Sequence, residues 1–320
     1  MTTLFNKLLA EKPGERDDLQ KDLLKKIQKV SGRKTIAYIS NFRTQPHNMI
    51  NFDDKKNMKM LVDQIKEEEI DFIIHSPGGY PEETEMIVNI LRNKFKHIRF
   101  IIPHSAKSAA TMLALSGNEI LMLNSAELGP IDPQVSGTVS GPAQSIIDGF
   151  DEIKRIVDSE GKLNGAYIPL LNKMDVATRK RCENAINYSR EQVKLWLKDY
   201  MFFGEDQAEK KANLIALFFS THNNFLTHGK PITLDMIKKR PDLEHLKVKS
   251  LEEENNELAT LIWEYYCRFE GIMSPMSPIN KIFHSEDEYM VNFAPVVEIQ
   301  NPVQIPQQIK QPTEEKEIKK

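Results

Sequence analysis

The residues with the most chemical potential sit at two short turns, Ser76-Pro77-Gly78-Gly79 and Pro103-His104-Ser105-Ala106-Lys107-Ser108-Ala109-Ala110-Thr111. In the first, a proline ends an apolar run. Two glycines follow, free to take positive φ or to bring the backbone close to a ligand. Such a turn ahead of a helix can aim backbone N–H groups at one point, as an oxyanion requires. Taken alone, Pro-Gly-Gly also fits a plain strand-to-helix turn. In the second, Ser108 is flanked by small residues that leave room for a carbonyl. The N–H of Ala109 then falls in a first helical turn, where donors lack intrahelical partners. A hydroxyl there can attack while the neighbouring N–H takes the developing charge. The plain alternative is that Ser108 serves only as a helix N-cap.

Both turns must be held by the elements around them, and apolar periodicity predicts those elements. Residues 17–30 read as an amphipathic helix, with Leu19, Leu23, Leu24, Ile27 and Val30 on one face. Thr35–Ile39 reads as a strand, residues 54–67 as a helix and Ile70–Ile74 as a strand ending at His75. Pro81-Glu82-Glu83 opens a helix to Phe95, Ile98–Ile102 is a strand, Ser108–Leu115 a helix and Glu119–Leu123 a further strand. Short strands alternating with helices predict an α/β fold with a mostly parallel sheet. In such sheets the chemistry collects where strands end and helices begin. The two turns follow consecutive strands, which are often spatial neighbours, so both are expected to open on the same edge. From about residue 145 the pattern becomes helix after helix: 146–157, 177–197, 205–219 and 251–270. The expected division is an N-terminal helical segment (1–32), an α/β core (33–145), a helical extension (146–298) and a disordered tail rich in Pro, Gln, Glu and Lys (299–320). Thr138–Pro142 reads as a linker beside the extension.

Composition narrows the function classes. With 43 basic and 46 acidic residues, a net charge of −3 gives no reason to expect nucleic-acid binding. No apolar run approaches the roughly 20 residues needed to span a bilayer. The N-terminus lacks the long apolar core of a secretory signal, so a cytoplasmic protein is expected. Cys182 and Cys267 are the two cysteines, expected to be reduced and structural. Without CxxC, HExxH or another ligand cluster, no metal or cofactor is expected.

The two turns, together with Glu127-Leu128-Gly129-Pro130-Ile131-Asp132-Pro133-Gln134, resemble in order and spacing the Clp-fold serine peptidases related to signal peptide peptidase A. Among these the chain is most similar to the serine dehydrogenase proteinases. His228-Gly229-Lys230-Pro231-Ile232 also resembles a segment of that group, so the likeness covers most of residues 33–270. The resemblance implies a Clp-protease/crotonase-like core with a helical C-terminal extension. It implies a serine-type peptidase that needs no ATP by itself, acts on peptide or protein substrates and assembles as a homo-oligomer. Ser108 would be the nucleophile, with Gly78 or Gly79 and Ala109 supplying the oxyanion hole. Ala110 stands where glycine is common in the family.

The general base is open at this level. Clp proteases use His and Asp, but the position of their histidine falls near Asp132 here. The lysine of the peptidase dyad would fall near Ala143 or Gln144, and Lys154 lies about three helical turns further on, roughly 15 Å along a helix. His75, His104, Lys107 and Lys154 are the candidates, each with a plain reading as a turn or surface residue. Asp132 reads as a turn-forming or site-shaping carboxylate, and His222 and His228 as loop histidines with suggestive spacing. Two other functions fit the same fold. One is a catalytically inactive scaffold or adaptor. The other is a crotonase-type thioester enzyme, which would leave Ser108 unexplained.

Overall fold

The computed structural model describes residues 16–44, 46–172, 176–273 and 277–293, with Leu4, Asn6 and Leu8 ahead of them. The expected tail at 299–320 lies outside the described residues. The chain opens with α1 (Arg16–Ser31) and β1 (Lys34–Ser40), then α2 (Asp54–Asp63), β2 (Glu69–His75), α3 (Pro81–Arg92) and β3 (His97–Ile102). Next come the short β4 (Ser105–Ala106), α4 (Ala109–Leu115), β5 (Glu119–Met122) and β6 (Glu127–Leu128). A small hairpin, β7 (Gln134–Val135) and β8 (Gly141–Pro142), occupies the expected linker and leads into α5 (Ala143–Glu160). The helical part continues with α6 (Val176–Trp196) and α7 (Ala208–Ser220). Then follow β9 (Ile232–Thr233), β10 (Val248–Ser250), α8 (Asn256–Ile272), β11 (Ile279–His284) and β12 (Tyr289–Phe293).

The central sheet runs in the order β10-β5-β3-β2-β1-β11-β12. Its β10, β5, β3, β2 and β1 pair in parallel, and β11 and β12 add an antiparallel edge. The inner strands are largely apolar, as strands of a buried parallel sheet are; Ile70, Phe72, Ile73 and Ile74 of β2 have no exposed surface, and the buried Asp71 is paired with Arg99 of β3 at 2.8 Å. The mostly parallel α/β sheet and the helical C-terminal part are as expected. The segment after residue 145 is not helical alone, however, since it returns β10, β11 and β12 to the central sheet. The reading of 251–270 as one helix also changes. Asn255 breaks it, with extended φ and ψ, and its side chain caps α8 by accepting from the N–H of Leu258.

Strand β11, between β1 and the edge strand β12, explains how the loop before the first turn is held. Lys281 is 1% exposed, and its ammonium donates to Asp54 at 2.7 Å and to the carbonyl of Met49 at 2.9 Å. Asp54 also accepts from Tyr38 Oη and from the N–H of Asn51. Burial pushes the Asp54 carboxyl above its usual range, and Lys281 acts against that shift. This pair fixes Met49 beside Ile50, and Ile50 forms a parallel bridge with Gly79. A buried charge stripped of its partner typically costs about 3–5 kcal/mol. Lys281→Met is therefore expected to lower stability by about that amount in urea titration. Adding Asp54→Asn should restore part of the loss, because the orphaned charge is then gone.

Candidate functional site

Ser108 sits between β4 and α4 with φ 50° and ψ −121°, a conformation that non-glycine residues avoid. Its hydroxyl makes no capping bond to the helix it precedes, so the plain N-cap reading does not describe it. In some folds a sharp strand-to-helix turn of this kind lifts a nucleophilic serine hydroxyl clear of the sheet. The turn is held from both sides. Lys107 donates its N–H to the carbonyl of Ser76, and Ser76 donates its own to the carbonyl of Ser105, both at 3.0 Å. Thr111, fully buried, donates to the carbonyl of Ala106 and accepts the N–H of Gly129. The three short motifs are thus stitched into one unit.

The glycine turn lies against the serine turn. Gly78 has φ +95°, and a Cβ there would stand 2.5 Å from the carbonyl oxygen of Lys107 and 2.8 Å from Ser108 Cβ. A Cβ on Gly79 would stand 2.8 Å from Ile50 Cα. The two N–H groups differ. That of Gly78 donates to Ser76 Oγ at 3.2 Å. Among the described residues no hydrogen bond occupies the N–H of Gly79 or that of Ala109.

A cavity of about 820 Å³ opens in front of Ser108, and Gly79, Met112, Pro133, Gln134, Tyr188 and His228 are among its walls. His228 is the titratable group that links this cavity to a buried charge. Its Nδ1 lies 2.7 Å from Asp132 Oδ1, and Asp132 is 3% exposed. The same carboxylate meets Nδ1 of His222 at 2.8 Å through Oδ2. Both imidazoles come from the loop after α7. That loop is brought to Asp132 by the N–H of Ile131, which donates to the carbonyl of Phe219 near the end of α7. Asp132, expected as a turn-forming or site-shaping carboxylate, thus binds both loop histidines.

None of His75, His104, Lys107 or Lys154 lines the Ser108 cavity. Lys154 is exposed on α5 and pairs with Asp158 at 2.5 Å. Lys107 turns away over Gly129 to reach Glu127 at 2.7 Å, a carboxylate that also accepts from Ser105 Oγ. His75 and His104 face a separate cavity of about 270 Å³ with Phe42, Arg43, Tyr266 and Glu270. There His75 stacks on Phe42 at 4.4 Å and meets His104 and Tyr266 edge-on. Burial, reinforced by His104, pushes its pKa down to about 3, so it is a neutral packing group. At the ends of β2 and β3 these imidazoles line this second cavity and not the one at Ser108. Sequence proximity to Ser108 did not imply a shared cavity. The six-residue separation of His222 and His228 was the available sign of the pair.

Both cysteines are free, and burial pushes the Cys267 thiol up to about 11, which leaves it a poor nucleophile. Among the described residues no group of three or more His, Cys, Asp or Glu is disposed to hold a metal ion. Nor is any helix among them long and apolar enough to cross a membrane.

Two expectations follow from this packing. Gly78→Ala should lose about 2 kcal/mol or more, because it combines positive φ with contact against backbone. Gly149, within α5, has open space where its Cβ would be, so Gly149→Ala should instead gain about 0.5–1 kcal/mol. Thermal denaturation of both variants measures the contrast. The second expectation concerns acid. Unfolded His75 takes a proton near its ordinary value of about 6.5, whereas the folded protein resists until about 3. The unfolded state thus binds more protons in that window, and stability falls as pH drops from 6.5 toward 3. His284, buried beside Tyr265 and pushed down to about 4, adds to the same slope. His75→Phe should flatten the stability–pH curve between pH 6 and 4 without flattening it fully, as read by urea titration at each pH.

The comparisons agree with the fold and the motifs. The family model of ClpP-like SDH-type serine proteinases matches residues 20–249. Two uncharacterized proteins of Methanocaldococcus jannaschii are similar to the chain. One is 28% identical over 246 residues, covering 74% of this chain and 78% of its own length. The other is 27% identical over 223 residues, covering 68% of each. The chain belongs to the ClpP-like SDH-type serine proteinases.

Proposed function

We propose that the protein hydrolyses peptide bonds through an acyl-enzyme on Ser108, with His228 as general base and Asp132 as its orienting carboxylate. The observation that carries this reading is that Ser108 and His228 wall one cavity while Asp132, behind His228, is buried and bonded to its Nδ1. A carboxylate at Nδ1 keeps the proton there and leaves the Nε2 lone pair free, the tautomer a base must have. His228 would accept the Ser108 proton as Oγ attacks the scissile carbonyl. The resulting imidazolium is stabilised by Asp132 and then gives its proton to the leaving amine. Water, deprotonated by the same imidazole, attacks the ester carbonyl and frees Ser108 with the acid product. The unoccupied N–H groups of Gly79 and Ala109 are suited to receive the oxyanion at each step. Gly78 is less suited, because its N–H is already committed to Ser76. The reading agrees with membership of a serine-proteinase family.

The test is hydrolysis of a fluorogenic peptide library by the wild type, Ser108→Ala, His228→Ala and Lys107→Met. Loss of a nucleophile or base in such a unit costs on the order of a thousandfold or more in kcat, so the first two variants should be inactive beside an active wild type. Lys107→Met should keep more activity than either. Turnover retained by His228→Ala with loss in Lys107→Met would replace the histidine base by a lysine. No turnover by the wild type across the library would favour the scaffold reading.

A further inference from the structure

The mechanism above uses only one side of Asp132. Oδ1 accepts from His228 at 2.7 Å, but Oδ2 accepts from His222 Nδ1 at 2.8 Å and more weakly from Gln134 Nε2 at 3.2 Å. His222 is 8% exposed and does not line the Ser108 cavity. Its other nitrogen, Nε2, lies 3.5 Å from Ser145 Oγ in the first turn of α5. A buried imidazole with both nitrogens engaged and no access to the cavity cannot touch substrate. Its consequence for chemistry has to pass through Asp132.

We propose that His222 is a positioning residue for the Ser108 site, holding Oδ2 so that the carboxylate plane keeps Oδ1 on His228. The inference rests on the reading of Ser108, His228 and Asp132 given above. A carboxylate held at one oxygen can still rotate about its Cβ–Cγ bond, whereas donors at both oxygens fix its plane. His222 also acts through the backbone. Its carbonyl accepts the N–H groups of Phe225 and Leu226, each at 2.9 Å, and so closes the turn that carries the chain to His228. In that turn Leu226 has φ +62° and is 80% exposed. A leucine is held in this left-handed region only where surrounding contacts require it. The two imidazoles, one at each end of the turn, grip one carboxylate and supply that requirement. His222 is therefore both the start of the loop and the second anchor of the group that orients the base.

The experiment compares kcat and KM for p-nitrophenyl acetate in the wild type and in His222→Phe, His222→Asn, His222→Gln and His228→Ala, with thermal melts of each. Phe fills the buried slot without a donor, so kcat should fall about tenfold to a hundredfold with KM nearly unchanged. Asn carries an amide nitrogen where Nδ1 stood and should restore most of kcat. Gln extends toward Ser145 and should behave like Phe. A donor-dependent split between Asn and the other two is a result that a purely structural histidine would not give. Should Phe fail to fold, the contrast of Asn with Gln decides. Equal kcat for Asn and Gln, whether low or wild-type-like, overturns the role of His222. If His228→Ala is inactive in that case, the Ser108–His228–Asp132 reading survives. Full turnover by His228→Ala, or none by the wild type, overturns both.

Discussion

Where Gly78 would carry a Cβ, the structure has the carbonyl of Lys107 and the Cβ of Ser108. This absence of space brings two turns from successive strands into backbone contact, and the rest of the site is arranged around it. Ser76, buried before the glycines, bonds to Ser105, Lys107 and Gly78 through three different atoms. Ile50 closes the far side by donating to the carbonyl of Gly78 and accepting from the N–H of Tyr80. The serine is thereby held in a backbone conformation it would not choose, with two unoccupied N–H groups beside it. Strain of this sort persists only when its surroundings over-determine it. Here they do so from the sheet, the preceding loop and Thr111.

Much of this constraint was legible in the residue types. Pro-Gly-Gly after an apolar run, and a serine among small residues before a helix, pointed to the two turns and to a common edge. The proposed base was not legible by the same route, for a topological reason. The resemblance sets the Clp histidine near Asp132, so a search at that position meets a carboxylate. The imidazole proposed as base arrives instead from the loop after α7, held by Ile131 bonding to Phe219. The order Ser, Asp, His also serves serine nucleophiles in unrelated folds. A triad is defined by geometry, so its chain order carries little information until the fold is known.

The fold divides in a similar way. Strands β1, β2, β3 and β5 were readable because each is a short apolar run bounded by turn residues. Strand β11, Ile279-Asn280-Lys281-Ile282-Phe283-His284, was not. Its lysine and asparagine suggest surface, yet both are buried. Lys281 is tolerated there because Asp54 and the carbonyl of Met49 wait for it, partners no local pattern could reveal. Strand β10 is only three residues long and lies beside β5 because the intervening helical segment returns to the sheet.

The central claim is that Ser108 is the reactive hydroxyl and that His228 activates it. Covalent labelling with a fluorophosphonate, read by intact mass and then by peptide mapping, tests it without knowledge of the natural substrate. A single adduct is expected on the peptide containing Ser108, formed by the wild type and greatly slowed in folded His228→Ala. Labelling at another serine, or labelling of Ser108 at an undiminished rate without His228, would contradict it.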